Sequence, residues 1–259
     1  MLSSKIYLKK RRIFLGIYII GFLGISFLLS NCTNQKVQPY LMLPGYKAEV
    51  IFQENFDKDL HNWLIEGNGK VQIIGGKLHV AETLESNGIL IWTNREFSGD
   101  FQLEYEVDVP DTAGMNSVII CAQRIRDKKK GFPDVPLPTK NLDEIVQEKT
   151  RSYQISFHSY SPDGQHTPGS KLRKNPGHLL LSYAEKDPCK ENRQYLIDVV
   201  KTGNRIRFFV DGNIVHDVRD KGGFGPIYMQ GKIGFLVYGA KGIFTTTFAK
   251  IQLFKLSPK

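Results

Sequence analysis

The sequence predicts an all-β protein built as a sandwich of two antiparallel sheets. Three short β-rich runs lie within residues 195–218, separated by tight turns at Gly203 and at Asp211-Gly212. No crossover helix fits between these runs, so the strands are expected to form an antiparallel meander. Apolar side chains alternate with polar ones from Ile206 to Val210, as in a sheet with one buried face.

The other predicted strands follow at regular spacing along the chain. Residues 50–56 form the first strand, Trp63 is expected to pack inward as a plug, and Gly75-Gly76 turns a hairpin. Further strands are predicted at 89–93, 101–109, 117–122, 152–158, 178–184, 232–238 and 245–254. Roughly a dozen strands without internal repeats favour a two-sheet sandwich or a jelly roll.

Two long loops interrupt this pattern. Residues 124–150 contain three consecutive lysines and three prolines, after which Asn141 is expected to cap a short helix that ends at Lys149. Residues 161–177 form the second predicted loop. The short helix is therefore expected to lie inside a long loop of an otherwise all-β domain.

The N-terminus has the pattern of an export signal. Five basic residues precede an apolar run over 13–29, which ends at Asn31-Cys32. The site resembles the bacterial lipobox, in which the Cys thiol is acylated and becomes the new N-terminus, although Asn31 departs from the usual small residue. We predict a lipoprotein signal peptide over 1–31, a lipid-anchored tether over 32–48 and a jelly-roll domain over 49–257.

This pattern predicts a bacterial cell-envelope protein on the periplasmic or cell-surface side, lipid-anchored to the membrane through Cys32. The alternative is an uncleaved membrane anchor, because the apolar run is nearly long enough to span a bilayer.

Charge and cysteine content indicate an anionic partner and no cofactor. The formal net charge is +9, and the five basic residues before Cys32 account for +5, which leaves +4 for the mature chain. For an exported protein, an acidic polysaccharide is the expected partner rather than nucleic acid. Cys121 and Cys189 lack the spacing of a metal site, so they form either a disulfide or two separate thiols. No metal or other cofactor is predicted.

Several segments together resemble one protein family. They are Asn62-Trp63-Leu64-Ile65-Glu66-Gly67, Gly76-Lys77-Leu78-His79-Val80, Leu172-Arg173-Lys174, Phe224-Gly225-Pro226 and Gly231-Lys232-Ile233-Gly234-Phe235. In order and spacing they look like the YesU-like family, a family of undefined activity in the concanavalin A-like lectin/glucanase superfamily. The resemblance covers about residues 54–254. It implies a concanavalin A-like jelly roll of two curved antiparallel sheets with a concave groove, and a role in the degradation of pectin-type or algal acidic polysaccharide.

Glu104, Glu106 and Asp108 are the strongest catalytic candidates. They alternate along one predicted strand, so they share a face, with neighbours about 6.5–7 Å apart. The order Glu-Tyr-Glu-Val-Asp differs from the carboxylate-rich strand of the superfamily's glucanases. The simpler interpretation is a half-exposed strand with solvated charges.

The predicted loop over 171–177 is the better candidate for substrate binding. It concentrates Lys171, Arg173 and Lys174 beside a turn. A guanidinium offers a planar fork for a uronate carboxylate, and an ammonium offers a mobile point charge. An ordinary solvated loop is the alternative.

The strands that flank this loop add further candidates for the groove. Gln154 and His158 are predicted on one polar face, opposite Tyr153, and would contact a sugar if that face lines the groove. Trp92 offers a ring for a pyranose, although core packing is the default for such a residue. The remaining candidates are Arg151, His178 and Glu66.

Three functional hypotheses follow. The first is a lipid-anchored protein that binds an acidic polysaccharide or its oligosaccharides and supports their degradation. The second is a glycoside hydrolase or lyase that uses Glu104 or Glu106, or a His158/Tyr153 acid–base pair. The third is a structural envelope lipoprotein. Carboxylates facing the groove would favour the enzyme, whereas Arg, Gln and aromatic residues in the groove would favour binding. A groove filled by the protein's own loops would favour the structural role.

Overall fold

The computed structural model describes residues 37–83, 87–109, 113–125, 142–161, 164–190, 192–239 and 244–259, apart from the side chains of residues 143–145. The predicted signal peptide, Cys32, Asn141 and most of the first long loop lie outside these residues. Val37–Lys259 belong to one folded unit. This unit begins within the segment predicted as a tether.

The described residues form eighteen strands and one helix. The strands are β1 Tyr46–Glu54, β2 Trp63–Gly67, β3 Lys70–Ile74, β4 Lys77–Ala81, β5 Ile89–Thr93, β6 Phe97–Ser98, β7 Phe101–Val109, β8 Gly114–Arg124, β9 Thr150–Phe157, β10 Ser159–Tyr160, β11 His166–Thr167, β12 Ser170–Asn175, β13 Leu179–Ala184, β14 Arg193–Thr202, β15 Arg205–Val210, β16 Asn213–Arg219, β17 Gln230–Gly239 and β18 Thr245–Pro258. The helix, α1 Leu142–Lys149, lies between β8 and β9.

Two antiparallel sheets of eight strands each make up the sandwich. Sheet I has the order β16-β15-β14-β7-β18-β4-β3, with β1 paired to β18. Sheet II has the order β13-β12-β9-β8-β17-β5-β2, with β6 paired to β17. Strands β10 and β11 form a separate hairpin. The predicted all-β sandwich of two antiparallel sheets is confirmed.

The core lies between the two sheets, and strand alternation decides which side chains enter it. On β7, Leu103, Tyr105 and Val107 are fully buried in this core, whereas the intervening carboxylates point away from it. Burying a large apolar side chain contributes about 1.5–3 kcal/mol. Each sheet therefore has an inner face that holds the domain together and an outer face that is available for other contacts.

The predicted meander is confirmed, with β14, β15 and β16 paired in sequence. Its turns use positive φ angles at Gly203, Asp211 and Gly212. The Gly75-Gly76 hairpin is confirmed as well, because both glycines adopt positive φ between β3 and β4. Trp63 is buried in the core, as expected of a plug.

The prediction of a continuous loop over residues 161–177 was wrong. Residues 170–175 form β12, which pairs with β9 on one side and β13 on the other. The sequence alternates here like a strand, because Leu172 is buried in the core between Lys171 and Arg173. The charged residues on either side of Leu172 made the two-residue alternation of a strand difficult to recognise in the sequence.

Cys121 and Cys189 are separate, buried thiols. No helix within the described part of the chain is long and apolar enough to cross a membrane. The same residues include no group of three or more His, Cys, Asp or Glu side chains placed to hold a metal ion.

Candidate functional site

Two rows of side chains cross the outer face of sheet II on neighbouring strands. In the first row, register places Ser117, Ser156, Lys171 and Tyr183 side by side on β8, β9, β12 and β13. In the second row, the same strands contribute Ile119, Gln154, Arg173 and Leu180. Directly opposed residues of paired strands have Cβ atoms about 4.5–5.5 Å apart. The fold therefore places Arg173 directly beside Gln154.

A buried polar network forms the floor of this region. Gln154 Nε2 donates to Ser117 Oγ at 3.3 Å. Asn175 Nδ2 donates to Gln154 Oε1 and to Ser152 Oγ, each at 3.2 Å. Gln154 and Asn175 are nearly fully buried, so they support the surface instead of forming its accessible part.

Four residues along the β12/β13 side remain accessible, and we call them the cationic strip: Lys171, Arg173, Leu180 and Tyr183. Tyr183 is 49% exposed and Leu180 is 52% exposed, while the two cations are half-buried. Burial lowers the pKa of Lys171, and the neighbouring charge of Arg173 acts in the same direction. Two cations beside an exposed aromatic ring and an aliphatic side chain can bind a ligand that has both a negative charge and an apolar face.

Sequence reasoning missed Tyr183 and Leu180. Both lie on an edge strand, and the register of β13 against β12 places them beside the cations. A β-bulge interrupts that pairing next to Arg173, so alternation along β13 does not reveal which side chains face outward.

Helix α1 covers another part of the same face. Leu142 N donates to Asn87 O at one end of the helix, and Gly177 N donates to Gln147 O at the other. Leu142 and Val146 pack on Trp92, which is 4% exposed. The indole also lies against Gly234, where a Cβ would overlap the ring. Trp92 is therefore part of a packed cluster and offers little surface to a sugar.

Glu66 also lies on this outer face, where it is held by partners. Its carboxylate forms an ion pair with Arg124 and accepts a hydrogen bond from Trp92 Nε1 at 3.4 Å. Among the described strand residues that register places on this face, Glu66 is the one carboxylate. A glycosidase of the usual kind needs two carboxyl groups around the scissile bond.

Lys174 and Tyr153 point to the other side of sheet II, into the protein. Lys174 Nζ forms a fully buried ion pair with Asp220 at 2.6 Å and donates to Gly225 O at 2.8 Å. Tyr153 donates its hydroxyl proton to the same Asp220 oxygen at 2.7 Å. Burial alone would raise the pKa of Asp220, but the hydrogen bonds from Lys174 and Tyr153 outweigh it and lower the pKa. These residues hold the loop before β17 in place.

His158 does not share the outer face with Gln154. Its backbone has φ 47°, so the alternation of β9 stops at Phe157. The ring stacks on Phe244 with 5.7 Å between centroids, and Nδ1 lies 3.0 Å from Cys189 O. The predicted placement of His158 beside Gln154 was wrong. Arg151 is exposed at the start of β9, and His178 lies in the turn between β12 and β13.

The carboxylates of β7 lie on the outer face of sheet I, away from the cationic strip. Glu106 accepts Lys250 Nζ at 2.7 Å and Gln194 Nε2 at 2.8 Å. Asp108 pairs with Lys77 Nζ at 3.0 Å. Exposed ion pairs of this kind contribute about 0–1 kcal/mol each to stability.

Glu104 is covered by residues 37–46, which we call segment 37–46. Tyr40 N donates to Glu104 Oε2 at 2.6 Å, and Gln102 Nε2 donates to Leu41 O at 3.0 Å. Leu43 packs on apolar side chains of sheet I, namely Val200, Phe209 and Leu256. Burial raises the pKa of the Glu104 carboxyl, against the effect of the Tyr40 hydrogen bond.

Asp198 lies directly opposite Glu104 in the pairing of β14 with β7. It is fully buried and accepts Gln102 Nε2 at 2.7 Å on Oδ1, while Oδ2 has no hydrogen-bond partner among the described residues. Burial raises the pKa of Asp198 to about 7, against the hydrogen bond from Gln102. The outer face of sheet I thus holds an acidic pair beneath segment 37–46.

The two-sheet sandwich has the predicted concanavalin A-like jelly-roll fold, which solved structures of other proteins share. A family model described as a domain of unknown function (DUF1961) matches residues 49–239, and the chain belongs to that family. The predicted membership of a family of unknown function is confirmed.

Solved structures share the fold at low sequence identity. A protein of unknown function with a galectin-like fold from Bacillus subtilis is 17% identical, with a TM-score of 0.69 over 83% of this chain and 100% of that chain. An endo-β-1,3-glucanase from Pyrococcus furiosus is 12% identical, with a TM-score of 0.57 over 85% of this chain and 98% of that chain. Porphyranase B from Zobellia galactanivorans is 14% identical, with a TM-score of 0.54 over 83% of this chain and 95% of that chain. No curated protein matches the chain.

Proposed function

We propose that the protein is an envelope lipoprotein that binds an acidic polysaccharide, pectin-type or algal, or its oligosaccharides through the cationic strip. The observation that carries the proposal is the distribution of charge between the two outer faces. Lys171 and Arg173 lie beside exposed Tyr183 on sheet II, whereas the β7 carboxylates lie on sheet I and are engaged by other groups. The shared fold also includes a glucanase and a porphyranase, which is consistent with a glycan ligand.

Each part of the strip suits one part of an acidic sugar. The Arg173 guanidinium and the Lys171 ammonium can bind a carboxylate or sulfate group by charge-assisted hydrogen bonds. The Tyr183 ring offers a flat apolar surface for the face of a pyranose. Binding of this kind supports degradation by retaining the polymer at the envelope, where lipidation at Cys32 would place the domain.

A glycoside hydrolase is the second candidate, and the Asp198/Glu104 pair is the observation that favours it. A carboxyl group with a pKa near 7 opposite a second carboxyl group is what a general acid and its partner require. Segment 37–46 covers this pair, so a sugar would reach it only after the segment had moved.

The test is a glycan screen on the domain from Val37 that records both binding and new reducing or unsaturated ends. The probes are polygalacturonate, a sulfated galactan and the neutral glucan laminarin. We expect binding of one of the two acidic polymers without products. The double variant Lys171→Ala/Arg173→Ala should weaken that binding by at least about 100-fold, because it removes two hydrogen bonds to charged groups, which contribute roughly 1.5–3 kcal/mol each.

Lys255→Ala is the control, because it removes a lysine from sheet I rather than from sheet II. Equal affinity of the double variant and this control would contradict the proposal. Products that disappear in Glu104→Gln or Asp198→Asn would instead establish the hydrolase.

A further inference from the structure

Segment 37–46 has two sides with different surroundings. One side faces sheet I, where Pro39 and Leu43 are buried. The segment also exposes three large apolar side chains, because Val37 is 43% exposed, Tyr40 is 70% exposed and Met42 is 55% exposed. Three large apolar side chains on the outer side of a short segment are not needed to hold it on the sheet.

Neighbouring residues on sheet I extend this exposed apolar surface. Tyr40 lies beside Gly212, the turn between β15 and β16, since its ring is 4.0 Å from the position a Cβ at Gly212 would take. Ile214 follows that turn, is 55% exposed and lies opposite Phe209 on the outer face. Tyr40 and Ile214 therefore lie at the same turn of sheet I, and together with Val37 and Met42 of segment 37–46 we call them the apolar rim.

Arginines accompany the apolar rim on β15 and β16. Register places Arg205, Arg207, Asp217 and Arg219 on the same outer face as Phe209 and Ile214. Arg205 pairs with Asp217, so this part of the face keeps an excess of two positive charges. Apolar side chains bordered by arginines suit a membrane interface, where the former enter the acyl boundary and the latter meet anionic headgroups.

The course of the chain places this surface next to the proposed lipid anchor. Cys32 and Val37 are five positions apart, and five extended residues span at most about 17 Å. Acyl chains on Cys32 would hold Val37 of the apolar rim within that distance of the bilayer. Tyr is enriched at membrane–water interfaces, because its ring is amphipathic.

We propose that the outer face of sheet I, through the apolar rim of segment 37–46 and β16, rests on the lipid bilayer. The inference depends on the lipid anchor of the proposed function. Its consequence is an orientation, because sheet I lies against the membrane while the cationic strip on sheet II points away from it. A polymer outside the bilayer then reaches the strip without obstruction by lipid.

The experiment uses the full acylated chain in vesicles of zwitterionic and anionic phospholipid, with single cysteines labelled by an environment-sensitive fluorophore. Positions Met42→Cys and Ile214→Cys test the apolar rim, and Tyr183→Cys is the matched control on sheet II. Native Cys121 and Cys189 are buried and free, so the exposed cysteine is the one that reacts in the folded domain. We expect a blue shift and quenching by lipid-borne quenchers at 42 and 214, with neither at 183.

Equal, water-like emission at all three positions would overturn the inference, and so would stronger quenching at 183 than at 42. Tyr40→Cys is the second variant, because a side chain 70% exposed can be replaced without loss of packing. Dimerisation of the soluble domain that Met42→Asp abolishes would assign the rim to a second copy instead. A mass spectrum that shows an unmodified Cys32 would disprove the lipid anchor and, with it, this inference. Glycan binding by the cationic strip would not be affected, because the glycan screen alone tests it.

Discussion

The β7 row on the outer face of sheet I and the β12 row on the outer face of sheet II carry charges of opposite sign, although the same strand alternation produces both rows. On sheet I, alternation points Glu104 and Glu106 outward, and segment 37–46 or a lysine engages each of them. On sheet II, alternation points Lys171 and Arg173 outward beside an exposed Tyr183. A row of carboxylates on a strand therefore indicates a catalytic face only when no other part of the chain covers those carboxylates or pairs with them.

Breaking the buried ion pair of sheet II should give the largest effect. Lys174→Ala leaves Asp220 buried without its cation, and breaking such pairs costs about 3–5 kcal/mol of unfolding free energy. The neighbouring Arg173→Ala on the outer face should cost less than about 1 kcal/mol. Denaturant titration of both variants tests this contrast between the two sides of one strand. Equal destabilisation by the two changes would show that the assigned sides are incorrect.

The acidic pair of sheet I predicts a pH-dependent contribution to stability. The pKa of Asp198 is raised from 3.8 to about 7, so the folded state binds its proton more tightly than the unfolded chain. The resulting stabilisation is full below about pH 4 and is lost as the pH rises through 7. Asp198→Asn should therefore be the more stable protein at pH 8, by a few kcal/mol at about 1.4 kcal/mol per pKa unit.

Thermal or denaturant unfolding at pH 5 and pH 8 checks this prediction. The gain of Asp198→Asn over the wild type should grow between the two values. Glu106→Gln is the control, because that carboxylate pairs with an exposed lysine. A gain that is the same at both pH values would contradict the assignment of a buried, protonated Asp198.

Tyr183→Ala should produce the smallest of these energetic effects, and it tests whether the exposed ring on sheet II contributes to glycan binding. Loss of the ring should weaken glycan binding by about 0.5–1.5 kcal/mol, the range for a stacked aromatic contact. Its unfolding free energy should stay nearly unchanged, because half of the side chain is exposed. Tyr40→Ala, which removes an exposed tyrosine from sheet I, should leave glycan affinity unaltered.

Alternation of side chains allowed much of the fold to be predicted from the sequence. It assigned the meander, the Gly75-Gly76 hairpin and the outward direction of Glu104 and Glu106, because each depends on neighbours in the chain. It failed at His158, where a positive φ ends the alternation. The side-chain types of residues 152–158 do not indicate that the alternation ends at His158.

The candidate site was less predictable, because its accessibility depends on distant segments. Helix α1 covers Trp92, and segment 37–46 covers Glu104. In both cases the covering element is distant in the sequence from the residue it covers, so a local sequence pattern does not indicate the contact. Arg173 and Lys174 look equivalent in the sequence, yet one lies on the surface and the other pairs with Asp220 in the interior. The charged residues of β12 made this strand resemble a loop in the sequence, so both side chains were predicted to be accessible.

The most direct test of the account is an NMR titration of residues 37–259 with the acidic oligosaccharide that the screen selects. The central claim is that sheet II binds the sugar and sheet I does not. We expect the perturbed amide signals to cluster on β9, β12 and β13 around Arg173 and Tyr183, with β7 and β14 unchanged. Perturbations centred on Glu104 and Asp198, with segment 37–46 released, would contradict the claim and identify sheet I as the functional face.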